Sequence, residues 1–486
     1  MISASEREQS TRAEYVLRRT KIVATLGPAT RDPATLGELI SAGADVIRLN
    51  FSHATPVDHA ENVERIRAAA QSSGREVGIL GDIPGPKLRL GDVEGDVVEL
   101  EEGEELVLSC DGSSGPGRIP VSWPGFAEAV HPGGEIFLAD GRIRLRVTKT
   151  TSAAVRTAVE TGGPVASHQG INLPGTDLGL PSTSEADLAW VDFAVDHGVD
   201  LLAVSFVRRR SDLEPVEGRL AERDCDIPLI AKIEKPEAAE NAEEIVAATL
   251  SGIMVARGDL GIELPLASVP RVQKRLLRVA GQDSKPAITA TQMLASMISS
   301  PRPTRAEVTD VANAIYDGTD AVMLSEETAV GQHPIEAVRV MDRIARETEP
   351  DLPYEEWLFT RVAEDPGSVG GAVAQGAVGA TYRLGLAAIV VPTRSGRTAR
   401  LVSAYRPRVP VLAVSPRIET VRRLNLLFGV RCVIAEDWTS LRALLDDCAR
   451  LAREQGLARS GEKIAITAGL PQQELGTNLF EVHRVP

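Results

Sequence analysis

Eight short apolar runs recur along the chain, each rising through aliphatic and β-branched residues and ending in residues that can do chemistry. They cover 21–27, 45–51, 77–83, 201–207, 228–234, 252–259, 286–292 and 321–327. Runs of this kind are what the strands of a (β/α)8 barrel require, because inward side chains fill a solid core while the loops at the carboxyl ends build the active site. The polar residues delivered there are Arg48, Asn50, Asp82, Ser205, Lys232, Glu234, Asp259 and Thr291. Cations, carboxylates and hydroxyls in that mixture suit a metal ion and a phosphorylated anion.

The segments between the runs carry helical spacing. Thr35, Leu36, Leu39 and Ile40, then Val63, Ile66 and Ala69, then Val308, Val311, Ala312 and Ile315 each mark one packed face. The interval from Ile83 to Leu201 is too long for one helix and is broken by many glycines, with alternating stretches at 97–100, 105–108 and 143–147. It predicts a small β-barrel cap, residues 87–181, inserted over the barrel's active-site face. After Glu349 the chain passes Pro350, Pro353 and Pro366 into strand runs at 387–392, 409–414, 431–435 and 463–468 that alternate with helices. The expected organisation is an N-terminal extension (1–17), a (β/α)8 TIM barrel (18–86 and 182–349), the cap, and a C-terminal open α/β sheet (350–486).

Composition narrows the partners. A formal net charge of −15 over 486 residues argues against nucleic acid, whose phosphates demand a basic face. Cys110, Cys225, Cys432 and Cys448 form no C-x-x-C pair and read as buried small hydrophobes or idle thiols in a reducing compartment. No signal-peptide stretch and no membrane span is legible, so a cytoplasmic location with no membrane partner is expected.

The chemistry concentrates in two runs. Lys232 and Glu234 are two residues apart, so both face the same side of an extended strand. The next run ends Arg257-Gly258-Asp259, where Gly258 lets backbone approach a ligand and Asp259 adds a second carboxylate. Two carboxylates with open positions suit Mg²⁺, which keeps waters and is completed by substrate oxygens. The plainer reading, a Lys232 to Glu234 ion pair filling a barrel layer, leaves Asp259 as an expensive unpaired charge.

Several long motifs then carry a resemblance. Residues 20–28 (TKIVATLGP), 47–53 (IRLNFSH), 230–234 (IAKIE), 254–261 (MVARGDLG), 289–294 (TATQML), 301–307 (PRPTRAE) and 317–325 (DGTDAVMLS) closely resemble the signatures of the pyruvate kinase family, bacterial type. The resemblance runs in order over nearly the whole chain. It implies phosphoryl transfer from phosphoenolpyruvate to ADP, giving pyruvate and ATP in glycolysis, usually in a homotetramer. It implies Glu234 and Asp259 as Mg²⁺ ligands, with Mn²⁺ a possible substitute, and Lys232 and Arg48 on the phosphoryl group. Thr291 falls near the methylene carbon, and the backbone of Gly258 and Asp259 near the substrate carboxylate. Asn50, His53 and Arg89 match positions facing nucleotide phosphates. The plainer reading has Asn50 and His53 capping the next helix and Thr291 bonding a neighbouring backbone.

Departures from the family pattern sharpen the expectations. Lys87 stands where many members carry an acidic residue and bind K⁺ near Asn50, Ser52 and Asp82; its tethered ammonium predicts an enzyme that works without K⁺. As a plain alternative, Lys87 is a solvated hinge residue. Glu326 replaces a common glycine, and Gln169 a lysine often used on nucleotide phosphate. In the last domain Thr393-Arg394-Ser395-Gly396-Arg397-Thr398 follows a strand and opens a helix, an anion-binding geometry. In the family this loop, with Thr393, Ser395, Gly396, Arg397 and Thr398, takes the phosphate of an allosteric effector, and Gly469 and the turn 476–478 adjoin it. Two other classes remain open from sequence: a barrel enzyme making or breaking carbon–carbon bonds on phosphoenolpyruvate or pyruvate, and a non-catalytic phosphometabolite sensor.

Overall fold

The computed structural model describes residues 18–486 except 140, 177–178, 249–250, 362–367, 439 and 470–475; the N-terminal extension and Pro366 lie outside the described residues. Eight parallel strands close into a barrel: β1 (Lys21–Thr25), β2 (Val46–Asn50), β3 (Gly78–Ile83), β4 (Leu201–Val204), β5 (Leu229–Ile233), β6 (Ile253–Ala256), β7 (Ala287–Ala290) and β8 (Ala321–Leu324). All eight are the runs legible in the sequence.

Alternation explains how one strand face serves both core and site. Val23, Val46, Leu80, Leu201, Ala203, Ile230, Met254, Ile288, Ala321 and Met323 share one buried cluster inside the barrel. Two residues further on, along the same inward face, come Thr25, Arg48, Asp82, Ser205 and Lys232. The apolar floor therefore ends at a polar rim without any change of strand. Leu426 of the C-terminal region joins the interior cluster and closes the floor from below.

The opposite, amino-terminal face repeats one device. Gly43-Ala44-Asp45, Gly198-Val199-Asp200 and Gly318-Thr319-Asp320 each leave a helix through a glycine with positive φ and place an aspartate just before a strand. Each carboxylate then accepts a backbone N–H from a neighbouring strand: Ile22 to Asp45 at 2.9 Å, Ile79 to Asp200 at 2.7 Å, and Ala287 to Asp320 at 3.0 Å. Conserving strand register this way is a stability function, as expected for that end of a barrel.

Two of these aspartates differ in charge balance. Burial pushes Asp45 up, but Arg18, Lys21 and Arg75 together outweigh it and hold the carboxyl below its usual range. Burial also pushes Asp200 up, and Arg67, the Ile79 N–H and Arg422 together do not compensate, so its pKa is raised. A depressed folded-state value means that Asp45 stabilises the fold above the unfolded pKa of about 3.9, and that this contribution is lost as pH falls through the folded value. Asp45→Asn is therefore expected to cost about 3 kcal/mol at pH 7, with the deficit shrinking below pH 4. Asp200→Asn is expected to cost less at pH 7, because its raised pKa already works against the charged form. Urea unfolding at pH 7 and at acid pH compares the two; an equal loss at neutral pH would contradict the charge argument.

The insertion is β apart from a one-turn helix at Phe126–Ala129, and has its own core around Leu108, Phe126, Ile136, Leu138, Leu145 and Val155. Its strands pair as a six-stranded sheet (171–172, 135–138, 143–151, 154–161, 105–109, 118–120) and a separate ribbon of 97–100 with 163–166. This is more open than the small β-barrel expected. Gly162 packs so closely on the Leu100 carbonyl that no Cβ fits, and Gly163 has φ +147°, so the chain peels off the main sheet there to form the ribbon.

In the C-terminal region β9 (Ile389–Pro392), β10 (Val411–Ser415), β11 (Val430–Ile434), β12 (Lys463–Ala468) and β13 (Leu479–Arg484) form an open sheet in the order β11-β10-β9-β12-β13. The first four are parallel, and β13, which the sequence reading did not predict, is an antiparallel edge. On the helix at Arg305–Tyr316, Val311 and Ile315 are buried as expected, whereas Val308 is exposed. No helix among the described residues is long and apolar enough to cross a membrane.

Candidate active site

At the carboxyl ends of β2, β3 and β5 the rim groups converge. Lys232 Nζ lies 3.1 Å from Asp82 Oδ1 and 2.8 Å from Glu234 Oε1, and donates to Ser205 Oγ at 2.7 Å. Ser205 passes the chain on to the Ile83 carbonyl at 2.7 Å. Arg48 reaches the other Asp82 oxygen, Nη2 to Oδ2, at 2.7 Å, and donates through Nη1 to Thr25 Oγ1 at 3.1 Å. Asp82 is thus clamped by two cations.

Charge decides the protonation states. Burial raises the Asp82 carboxyl, but Lys232 and Arg48 outweigh it, so the group is held below the usual range and stays anionic. Burial pushes Lys232 down, and Asp82 and Glu234 more than restore it, so the ammonium keeps its proton. Glu234 is pushed up, first by burial and then by Asp259, against the pull of Lys232. Two carboxylates that repel each other in a dry site mark a place where a divalent cation lowers the energy. Asp259 has no hydrogen-bond or ion-pair partner among the described residues, which leaves its oxygens open to a metal. The donor set therefore fits Mg²⁺ at Glu234 and Asp259. Among the described residues no three His, Cys, Asp or Glu groups converge as metal ligands, so the remaining positions fall to substrate and water.

Backbone strain positions two of these groups. Phe206 has φ +56° and donates its N–H to Glu234 Oε2 at 3.0 Å. Thr291 and Gln292 have φ +71° and +53°. Non-glycine residues in that region are uncommon and cluster at functional sites. Thr291 Oγ1 accepts the Gly258 N–H at 2.7 Å and donates to the Ala290 carbonyl at 2.6 Å. The plainer reading of Thr291 as a backbone partner thus describes its bonds without ligand. Gly258 opens the short helix Arg257–Glu263 and does not adopt a positive φ; a Cβ there would sit 3.4 Å from Thr291 Oγ1.

Asn50, His53 and Arg89, expected from the sequence to face nucleotide phosphates, lie beside this cluster. Asn50 Oδ1 accepts the Ser52 N–H at 3.2 Å, so it caps the turn after β2. His53 is exposed, and its carbonyl is bonded by His59 Nε2 at 2.8 Å. Partial desolvation of its ring lowers the His53 pKa even though the residue as a whole is exposed, and so do Arg89, Arg48 and Lys87, which places three cations within electrostatic reach of one imidazole. Lys87 runs along Gly170, whose missing side chain leaves it room. Arg89 donates to the His168 carbonyl at 3.1 Å.

A scan of family models matches residues 17–338 to the pyruvate kinase barrel domain and residues 371–483 to the pyruvate kinase alpha/beta domain. The chain belongs to the pyruvate kinase family. Curated pyruvate kinases similar to it include that of Geobacillus stearothermophilus, 44% identical over 96% of this chain and 80% of the relative. That of Bacillus licheniformis is 41% identical over 96% and 81%. That of Methylorubrum extorquens is 42% identical over 93% and 94%.

Among the described residues, neither departure from the family pattern bonds to the cluster. Gln169 Oε1 accepts the Ala166 N–H at 3.1 Å, so its amide is engaged within the cap. Glu326 is exposed, while its neighbour Glu327 is buried and accepts from Leu294 N at 3.1 Å and Ser325 N at 2.7 Å, tying the loops after β7 and β8 together. In the C-terminal loop Gly396 has φ +81° and donates its N–H to Thr393 Oγ1 at 3.0 Å. Thr398 Oγ1 meets Thr477 Oγ1 at 2.6 Å, joining the loop to the 476–478 turn, whereas Ser395 and Arg397 are exposed.

Sequence reading assigned no role to Arg257. It donates to the Thr291 carbonyl at 2.9 Å and pairs with Asp310 at 2.7 Å, which holds the strained Thr291 turn in place. An arginine between a buried strand and Gly-Asp was the available signal. Phe206 offered none, because its contribution is a backbone N–H.

Proposed function

We propose that the chain transfers the phosphoryl group of phosphoenolpyruvate to ADP, yielding pyruvate and ATP. The enol oxygen–phosphorus bond breaks, an oxygen of the ADP β-phosphate takes the phosphoryl group, and the enolate methylene carbon takes a proton. The observation that carries this reading is the cluster of Lys232, Arg48, Asp82 and Glu234 on one rim, with an unpartnered Asp259 beside it. Phosphoryl transfer needs chiefly positioning and charge neutralisation, and a fixed ammonium and guanidinium supply both. Mg²⁺ held by Glu234 and Asp259 would neutralise the developing enolate and the phosphoryl oxygens. Thr291 orients the methylene end of the substrate, the backbone at Gly258 and Asp259 receives its carboxylate, and Asn50, His53 and Arg89 receive the nucleotide phosphates. Formation of pyruvate, followed through lactate dehydrogenase, is expected only when phosphoenolpyruvate, ADP and Mg²⁺ are all present. Pyruvate formed without ADP would instead indicate a different reaction.

The Lys87 ammonium replaces the K⁺ that many members bind near Asn50, Ser52 and Asp82. Its place among the cations around His53 supports this. Exchanging K⁺ for tetramethylammonium is expected to leave turnover within about twofold, since a tethered charge is insensitive to the salt supplied. Lys87→Glu is expected to become K⁺-dependent. A collapse of the parent enzyme without K⁺ would overturn the assignment. The same reading makes the protein a cytoplasmic homotetramer whose exposed Ser395 and Arg397 receive a phosphorylated effector, and family membership supports it.

A further inference from the structure

Behind the two carboxylates that fit a metal, a further ion pair ties their supports together. Lys235 follows Glu234 directly, just past β5, and Glu263 lies four residues after Asp259 in the helix Arg257–Glu263. Residues four apart in a helix share one face, about 5.4 Å along the axis. Lys235 Nζ pairs with Glu263 Oε1, and the glutamate side chain is only 2% exposed. The pair therefore bridges the strand that carries Glu234 and the helix that carries Asp259. A carboxylate so nearly sealed from water stays in place only while a cation stays with it.

Further contacts make this bridge a fixed point. The Lys235 ammonium lies 5.8 Å from the centre of the Phe206 ring, and Phe206 is the residue whose strained backbone donates to Glu234. The same ring packs on Gly85, where the chain enters the insertion: a Cβ there would lie 2.7 Å from Phe206 Cδ2. Where the chain leaves the insertion, the Gly175 N–H donates to Glu263. Ile262, one residue earlier, lies against Gly141 of the insertion, where a Cβ would be 3.2 Å from its Cγ1. Both crossings between barrel and insertion thus rest on the groups that support Glu234 and Asp259. Repulsion between these two carboxylates pushes their supports apart, and the bridge opposes that push.

We infer that Lys235 and Glu263 are positioning residues that set the spacing of Glu234 and Asp259, an inference that rests on the reading of those two as the metal pair. The probe is Mn²⁺ alone, titrated into the full-length protein and followed by electron paramagnetic resonance. The double variant Lys235→Met, Glu263→Leu removes the bridge without orphaning a buried charge. Its Mn²⁺ dissociation constant is expected to rise about tenfold, the scale on which loss of an outer partner of a metal ligand weakens binding. The Mg²⁺ concentration for half-maximal turnover is expected to rise in parallel, while kcat at saturating Mg²⁺ falls by no more than about threefold. Lys235→Arg keeps the charge and the reach, so its Mn²⁺ affinity is expected to return to within about threefold of the parent. Glu263→Gln keeps an acceptor for the Gly175 N–H and loses the charge; a smaller rise in the same direction is expected, and this variant carries the test if the double variant does not fold. Glu234→Gln separates the two readings, because loss of a ligand itself is expected to weaken Mn²⁺ more than loss of the bridge. Weak Mn²⁺ binding in Glu234→Gln with parent-like affinity in the bridge variants overturns the inference alone. Unchanged Mn²⁺ binding in Glu234→Gln overturns the metal reading and the inference with it.

Discussion

Lys232→Met is expected to lower kcat by at least about 10³-fold, which corresponds to about 4 kcal/mol of lost transition-state stabilisation. The ammonium is held by Asp82, Glu234 and Ser205 at 2.7–3.1 Å, so it is fixed before substrate arrives. A preorganised charge acts where negative charge grows during transfer, and it costs no reorganisation at that moment. Its loss should fall mainly on kcat and much less on KM, because the interaction is stronger in the transition state than with bound substrate.

The variant also separates catalysis from metal binding. Removing Lys232 frees Glu234 Oε1, which remains beside Asp259, so affinity for Mn²⁺ measured by electron paramagnetic resonance is expected to stay within a few fold. Lys232→Arg is not expected to rescue turnover, since a planar fork does not fit a pocket shaped around three partners of a point charge. Turnover above about a tenth of the parent rate would remove Lys232 from the phosphoryl position. Loss of Mn²⁺ binding alongside activity would show instead that the residue holds the carboxylates in place.

The barrel was legible because its strands are buried on both faces and end abruptly in polar rims, a pattern that leaves a trace in every run. The cluster of Arg48, Asp82, Lys232 and Glu234 was legible for the same reason, since alternation along a strand carries a side chain from core to rim. Other features had no such trace. Strand β13 is an edge strand in which half-exposed Phe480 and Val482 alternate with Glu481 and His483, so neither face reads as core. The three Gly-x-Asp turns are visible as letters, but their partners are backbone N–H groups of other strands, which only the folded register supplies. The strained turns at Phe206 and Thr291 are equally silent, because positive φ at a non-glycine residue is imposed by packing and not by local preference.

Arg406→Met is expected to cost about 3–5 kcal/mol of stability, the largest effect predicted outside the active site. Arg406 pairs with Asp320 through both oxygens, at 2.9 and 2.8 Å, and without it Asp320 would remain buried with only Ala287 N and Phe428 N to bond it. The guanidinium also stacks 4.2 Å from the Phe428 ring centroid, a contact that methionine replaces only as bulk. The strain should concentrate at the junction, because the pair joins the barrel's amino-terminal face to the C-terminal sheet. Limited proteolysis is therefore expected to release the C-terminal region faster in the variant, before the barrel melts. The double variant Arg406→Met, Asp320→Leu tests the cause: with no orphaned charge left, it is expected to recover a substantial part of the single variant's loss in urea unfolding. A double variant as unstable as the sum of two separate losses would mean that the hydrogen bonds of each residue, and not their charge pairing, hold the two parts together.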